Sequence, residues 1–104
     1  MLSLEGKVVQ DADRLDAMGA IGIARAFAYG GSKGRLIYDP GVKPVEHRTA
    51  ESYLGSGGTT VNHFYEKLLL LEDRMNTAAG RVMARTRHEF MEDYLRRFFE
   101  EWEG

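Results

Sequence analysis

VVQDADRLDAMGAIGIARAF (residues 8–27) decides how this 104-residue chain begins to fold, because it combines a helical repeat with small and acidic residues. Apolar and small residues recur in it at steps of three and four, the spacing of one helix face. The residues that share this face are Val8, Ala12, Leu15, Gly19, Gly22 and Ala26. Glycine inside a helix costs about 1 kcal/mol relative to alanine, and close approach by another helix or a ligand compensates for that cost. The stretch therefore predicts a helix within residues 1–29, ended by GGSKG at residues 30–34.

The composition indicates one small globular domain. Hydrophobic residues make up 43% of the chain, and the formal net charge of −2 favours neither nucleic acid nor an anionic membrane as a partner. The chain has no cysteine, which excludes disulfide scaffolds and thiolate chemistry. No apolar run approaches the ~20 residues that span a bilayer. The first residues, MLSLEGK, lack the features of a secretory signal, so we expect a cytoplasmic protein.

The rest of the chain divides into a loop and a helical hairpin. Residues 30–58 contain both prolines and end in GSGG, which predicts a long loop. In residues 59–104, Thr59 or Thr60 can cap the first helix of a hairpin, and Asn76 or Thr77 can cap the second. The apolar stripe of the first helix consists of Val61, Phe64, Leu68, Leu71 and Met75.

The second helix of the hairpin is predicted over residues 77–102 and has an unusually wide apolar face. Two ladders of apolar residues run along it at steps of four. They are Val82, Phe90, Tyr94, Phe98 and Trp102, and Met83, Met91, Leu95 and Phe99. Together they cover more than one neighbouring helix would bury, which indicates core or interface packing. No strand pattern occurs, so the predicted fold class is all-α.

Common motifs do not account for the acidic cluster. An EF-hand loop starting at Asp11 would need glycine at Asp16 and glutamate at Gly22. GGSKGR lacks the spacing of a phosphate-binding P-loop, and no G-x-S-x-G elbow accompanies the three histidines.

A family resemblance does account for it. DADRLDAMGAIGIARAF (residues 11–27), HFYEKLLLL (63–71), MNTAAGRVMARTRHEFM (75–91) and EEW (100–102) resemble the HD superfamily of metal-dependent phosphohydrolases. That family binds its metal through a histidine, a His-Asp pair and a distant aspartate in an A-D-R-L context, which here is Asp13. No His-Asp dipeptide occurs in the chain, and the family's histidines lie well upstream of that aspartate. The resemblance therefore implies that this chain corresponds to the C-terminal half of an HD-domain helical fold and is a truncated domain.

The resemblance implies hydrolysis of a phosphorylated small molecule such as a nucleotide, with a divalent Mn or Mg ion in the complete domain. Asp13 would be the only metal ligand that this chain contributes. A catalytic metal site needs several protein ligands, so we expect the chain alone to bind no metal tightly and to be inactive. Asp13 could instead pair with Arg14 or another charge, while Asp11 and Asp16 have the character of solvated or capping groups.

Four further residues are candidates for contact with a substrate phosphate. They are chosen for the chemistry of their side chains and are not carried over from the family. Arg14 and Arg25 could bind phosphate through paired hydrogen bonds, or could form salt bridges with the neighbouring aspartates. His63 and Lys67 stand four residues apart and would share one helix face. They could face a phosphate, or form a polar stripe in which His63 bonds to the loop.

Unpartnered helix faces also predict association. Half of a domain would expose the small face of the first helix and the wide face of the last one, and two copies could cover each other. We therefore expect a homodimer or higher oligomer. A non-catalytic helical self-association module is the alternative function, with no nucleic-acid or membrane partner.

Overall fold

A computed structural model describes residues 2–42 and 58–104, and all of its regular elements are helical. Helix α1 spans Leu4–Asp16, α2 spans Gly19–Ser32 and α3 spans Thr60–Glu66. A 3₁₀ helix follows at Leu68–Arg74, and α4 spans Ala78–Glu103. The predicted all-α class is confirmed. Residues 43–57, the larger part of the predicted loop, lie outside the described residues.

The first predicted helix is in fact two helices, and this corrects the single helix expected within residues 1–29. The chain turns at Ala17 and Met18, and Gly19 starts α2 with a φ of +75°, a conformation that favours glycine. A Cβ atom on Gly22 would lie 2.4 Å from the Ala17 carbonyl carbon and oxygen. The periodicity concealed the turn because small residues keep the same spacing on both sides of it. Helix α2 then ends at Ser32, near the predicted glycines.

The predicted hairpin is confirmed in its second arm and corrected in its first. At Lys67 the backbone leaves the α-helix, and the next seven residues form the 3₁₀ helix. Even so, all five apolar residues predicted for this arm are buried. The Thr59 hydroxyl accepts a hydrogen bond from the Asn62 N–H, and that of Thr77 accepts one from Gly80, so these two threonines are the caps.

The core lies between α4 and the other elements. Phe64 is fully buried, and its ring centroid lies 5.7 Å from that of Phe27 and 6.2 Å from that of Tyr94. The aromatic rings therefore join α2, α3 and α4. The buried apolar residues are Leu15, Met18, Ile23, Val61, Phe64, Leu68, Leu71, Met75, Ala84, Met91 and Leu95.

The wide apolar face of α4 is only partly covered. Met91 and Leu95 are in the core, whereas the exposed fraction is 70% for Val82, 49% for Phe90 and 51% for Trp102. Both ladders are thus partly covered: Tyr94 and Phe98 pack against the core, whereas Met83 is exposed. None of the described helices combines the length and apolar character that crossing a membrane requires.

Candidate functional site: the acidic cluster of helix α1

The charged residues of the DADRLD cluster face different directions. Asp11 is buried, Arg14 is half-buried, and Asp13 and Asp16 are exposed. Successive residues on an α-helix are separated by about 100°, so Asp11 and Asp13 point about 200° apart. The cluster is therefore two features: a buried carboxylate that faces α4 and an exposed carboxylate on the other side of α1.

Asp11 connects α1 to the start of α4. Its side chain is 3% exposed and accepts hydrogen bonds from the Asn76 N–H at 2.7 Å, the Thr77 N–H at 2.9 Å and the Thr77 hydroxyl at 2.7 Å. These hydrogen bonds hold the pKa of Asp11 below its usual value, and the bond from the Asn76 N–H has the largest effect. The approach is close, because a Cβ on Gly80 would lie 2.4 Å from the Asp11 carboxylate. Asp11 is therefore not a solvated group, and it anchors the turn before α4 and the Thr77 side chain, whereas Thr77 itself caps the helix.

Other contacts hold the middle and the C-terminal end of α1. The Asn76 side-chain amide donates to the Gln10 side chain at 2.9 Å and to the Lys7 carbonyl at 3.3 Å. Arg14 donates to the Arg74 carbonyl at the end of the 3₁₀ helix, and Arg87 of α4 donates to the Leu15 carbonyl. These bonds fix the rotation of α1 about its axis, and hence the direction in which Asp13 points.

Asp13 itself is exposed and makes no hydrogen bond or ion pair with the described residues. The alternative in which Asp13 pairs with Arg14 is not observed, since the Arg14 guanidinium bonds to the Arg74 carbonyl instead. A rigidly held carboxylate with no partner is available to a cation or to another polypeptide.

The four predicted phosphate-binding residues occupy separate elements. Arg25 is exposed on α2, His63 is half-buried on α3, and Lys67 is exposed where the α-helix gives way to the 3₁₀ helix. Arg14 is on α1 and is held by the Arg74 carbonyl. Their contact with a substrate phosphate stays a prediction.

The part of the chain that the structure describes does not complete a metal site. It contains no group of three or more histidine, aspartate or glutamate side chains placed to hold a metal ion. One carboxylate binds a divalent cation weakly, so any tight site that uses Asp13 needs ligands from elsewhere.

Two features of α4 were not anticipated from the sequence. His88 lies near two carboxylates, with Nδ1 3.5 Å from Glu72 on the 3₁₀ helix and Nε2 3.4 Å from Glu92, but its buried Nδ1 atom has no hydrogen-bond partner among the described residues. Near the end of α4, the Tyr38 ring meets the Trp102 ring edge to face at a centroid distance of 5.1 Å. No pattern in the sequence indicated the contacts of His88 with Glu72 or of Trp102 with Tyr38, because those partners are distant along the chain, whereas Glu92 lies only four residues after His88.

Comparison with solved structures places this helical arrangement among known folds. The chain matches an HD-superfamily hydrolase from Bacillus thuringiensis with a TM-score of 0.82 and 54% sequence identity, and the match covers 98% of this chain. The chain has an HD-superfamily hydrolase-like fold. A Lactobacillus plantarum protein matches with a TM-score of 0.88 and 54% identity, again over 98% of this chain.

A third similar protein is YpgQ of Bacillus subtilis, described as uncharacterized, which is 46% identical over 95 residues or 91% of this chain. Its crystal structure in complex with ADP matches with a TM-score of 0.77 over 96% of this chain. No protein-family model matches the chain.

All of these proteins are longer than the chain. It spans 38% of the curated YpgQ sequence, 50% of the Lactobacillus plantarum structure and 48% of the Bacillus thuringiensis structure. The shared fold therefore concerns about half or less of each relative.

Proposed function

We propose that this chain is part of a metal-dependent phosphohydrolase that acts on a phosphorylated small molecule such as a nucleotide. Asp13 is the metal ligand that it contributes, and the chain alone is inactive. The observation that carries the proposal is the exposed carboxylate of Asp13, which has no partner among residues 2–42 and 58–104, on a helix that is fixed by Asp11, Arg14 and Arg87. A metal ligand needs this combination of rigidity and a free oxygen.

Similar proteins support the choice of reaction and substrate class. One of them is an HD-superfamily hydrolase, and another, YpgQ, was crystallised in complex with ADP. Nucleotide phosphates are therefore the substrates to test first. The remaining metal ligands, which in the family are a histidine and a His-Asp pair, have to come from a second polypeptide segment.

Complementation tests this proposal. Phosphate release from nucleotides in the presence of Mn²⁺ would be measured with the chain alone and with a polypeptide that carries the family's histidine and His-Asp pair. We expect no turnover by the chain alone and turnover by the mixture. Asp13→Asn should abolish the activity of the mixture, because the amide is a much weaker metal ligand than the carboxylate.

Asp16→Asn is the matched control, since Asp16 is an exposed aspartate on the same helix. It should leave the activity of the mixture unchanged. Turnover by the chain alone that Asp13→Asn abolishes would show that the chain already holds a complete site. Activity of the mixture that survives Asp13→Asn would show that a different aspartate is the ligand.

A second candidate function, a helical self-association module, is favoured by the apolar surface. On α1 the exposed fraction is 73% for Leu4, 52% for Val8 and 59% for Val9, and α4 exposes Val82 and Phe90. Large apolar patches left exposed on a surface mark association sites, and these residues are candidates for such a patch. A homodimer that lacks any activity after complementation would favour this function over the first.

A further inference from the structure

An open cavity of about 460 Å³ lies along the last turns of α4. The side chains that line it are Tyr94, Arg97, Phe98, Glu101 and Trp102. Volumes of about 300–1,000 Å³ are typical of small-molecule sites. The cavity is therefore large enough for a small organic ligand, and no residue with a role in the proposed hydrolysis lines it.

Three aromatic rings of the cavity lining pack against one another. The Phe98 ring centroid lies 6.4 Å from that of Tyr94 and 5.9 Å from that of Trp102, with interplanar angles of 29° and 17°. Tyr38, outside the lining, supports the Trp102 ring edge to face. The indole nevertheless leaves 51% of its surface exposed. The rings are thus held in place by other side chains, and part of their surface is open to a ligand.

The uncompensated charge of the cavity lining is negative. Arg97 belongs to a network of two arginines and two carboxylates whose charges cancel, formed by Asp93, Arg96, Arg97 and Glu100. Glu101 is exposed and forms no ion pair within residues 2–42 and 58–104. Burial, and after it the Glu101 carboxylate, hold the pKa of Tyr94 above its usual value, so this negative charge acts on one of the rings. The cavity therefore combines aromatic rings with an unpaired carboxylate.

We propose that this cavity binds a small quaternary-ammonium compound, with its cation against the aromatic rings and beside the Glu101 carboxylate. The negative face of an aromatic ring attracts a cation, and quaternary-ammonium ligands are recognised in this way. A primary ammonium group has three N–H donors to satisfy, and ring faces offer it no acceptor atom. A quaternary ammonium has no such donor, and its methyl groups bury apolar surface on the rings. The cavity chemistry thus favours the methylated cation.

Titration of the 104-residue chain with choline tests the site, in comparison with the uncharged analogue in which a tert-butyl group replaces trimethylammonium. Trp102 is the only tryptophan of the chain, so its fluorescence reports a ligand in the cavity. We expect choline to bind about tenfold more tightly than the analogue, because only choline carries the charge. Glu101→Gln should raise the Kd for choline about threefold, and Trp102→Leu, measured by calorimetry, about tenfold.

Glu103→Gln is the matched control, because it removes an exposed carboxylate from the same helix but outside the cavity lining, and it should leave the Kd unchanged. Trp102→Phe keeps a ring and should bind choline more tightly than Trp102→Leu. Three outcomes would overturn the proposal: no binding of choline by the parent chain, equal binding of the uncharged analogue, or an equal loss in Glu101→Gln and Glu103→Gln. The titration uses neither metal nor phosphate, so failure of the complementation assay leaves its result intact.

Discussion

Replacement of Thr77 by alanine tests the junction at which α1, the turn at residues 75–77 and α4 meet. The Thr77 hydroxyl accepts a hydrogen bond from the Gly80 N–H at 2.9 Å and donates one to the Asp11 carboxylate at 2.7 Å. Alanine removes both bonds at once. The helix then loses its N-cap, and the buried carboxylate loses one of its three donors.

The magnitude follows from these two bonds. Loss of an N-cap threonine costs about 1 kcal/mol, within a range of about 0.5–2 kcal/mol. The second lost bond places the Thr77→Ala variant near the upper end of that range. For a domain of this size, 1 kcal/mol changes the melting temperature by about 4–8 °C. We therefore expect the melting temperature to fall by roughly 5–15 °C.

Circular dichroism recorded during thermal unfolding measures this change in melting temperature. All variants are compared at one protein concentration, because association would make the melting temperature depend on concentration. Thr77→Ser is the control, because serine keeps the hydroxyl and loses only a methyl group. It should retain most of the stability. An equal loss in Thr77→Ser and Thr77→Ala, or no loss in either, would refute the role assigned to the hydroxyl.

Three other results are expected. Hydrogen bonds hold the pKa of Asp11 below the ordinary value for an aspartate, so its contribution to stability is present above that ordinary value and is lost as the pH falls through the lowered pKa. Asp11→Asn should therefore flatten the acid side of a plot of melting temperature against pH, and an unchanged acid side would contradict this role of Asp11. Gly30→Ala should destabilise the chain in urea unfolding, since the added Cβ would collide with a buried threonine hydroxyl on α3, whereas Gly31→Ala, whose Cβ meets open space, should stabilise the chain by up to about 1 kcal/mol. A more stable Gly30→Ala than Gly31→Ala variant would refute the packing of α2 on α3. Sedimentation should show a dimer or larger species that Val82→Asp together with Phe90→Asp weakens, and a stable monomer at micromolar concentration would rule out the predicted association.

The caps and the buried stripe of the hairpin could be predicted from the sequence because they depend on neighbours within a few residues. The change from α-helix to 3₁₀ helix at Lys67 could not. Thr59 and Thr77 cap their helices through bonds to residues three positions later. Leu68 and Leu71 are three residues apart, so they share one face in a 3₁₀ helix as they would in an α-helix, and both are buried. The turn before Gly19 escaped prediction, because spacing alone does not distinguish a continuous helix from two helices that share a register.

The roles of the aspartates in DADRLD were decided by the tertiary structure. Asp11 and Asp13 have the same chemistry and lie in the same helix, so residue type and periodicity give them equal claim to a site. Asp11 is buried because its donors, Asn76 and Thr77, approach from about 65 residues away along the chain. That packing fixes the rotation of α1 and turns Asp13 outward. Residue type alone shows that α1 carries carboxylates, and the contact between α1 and the start of α4 makes Asp11 structural and leaves Asp13 exposed.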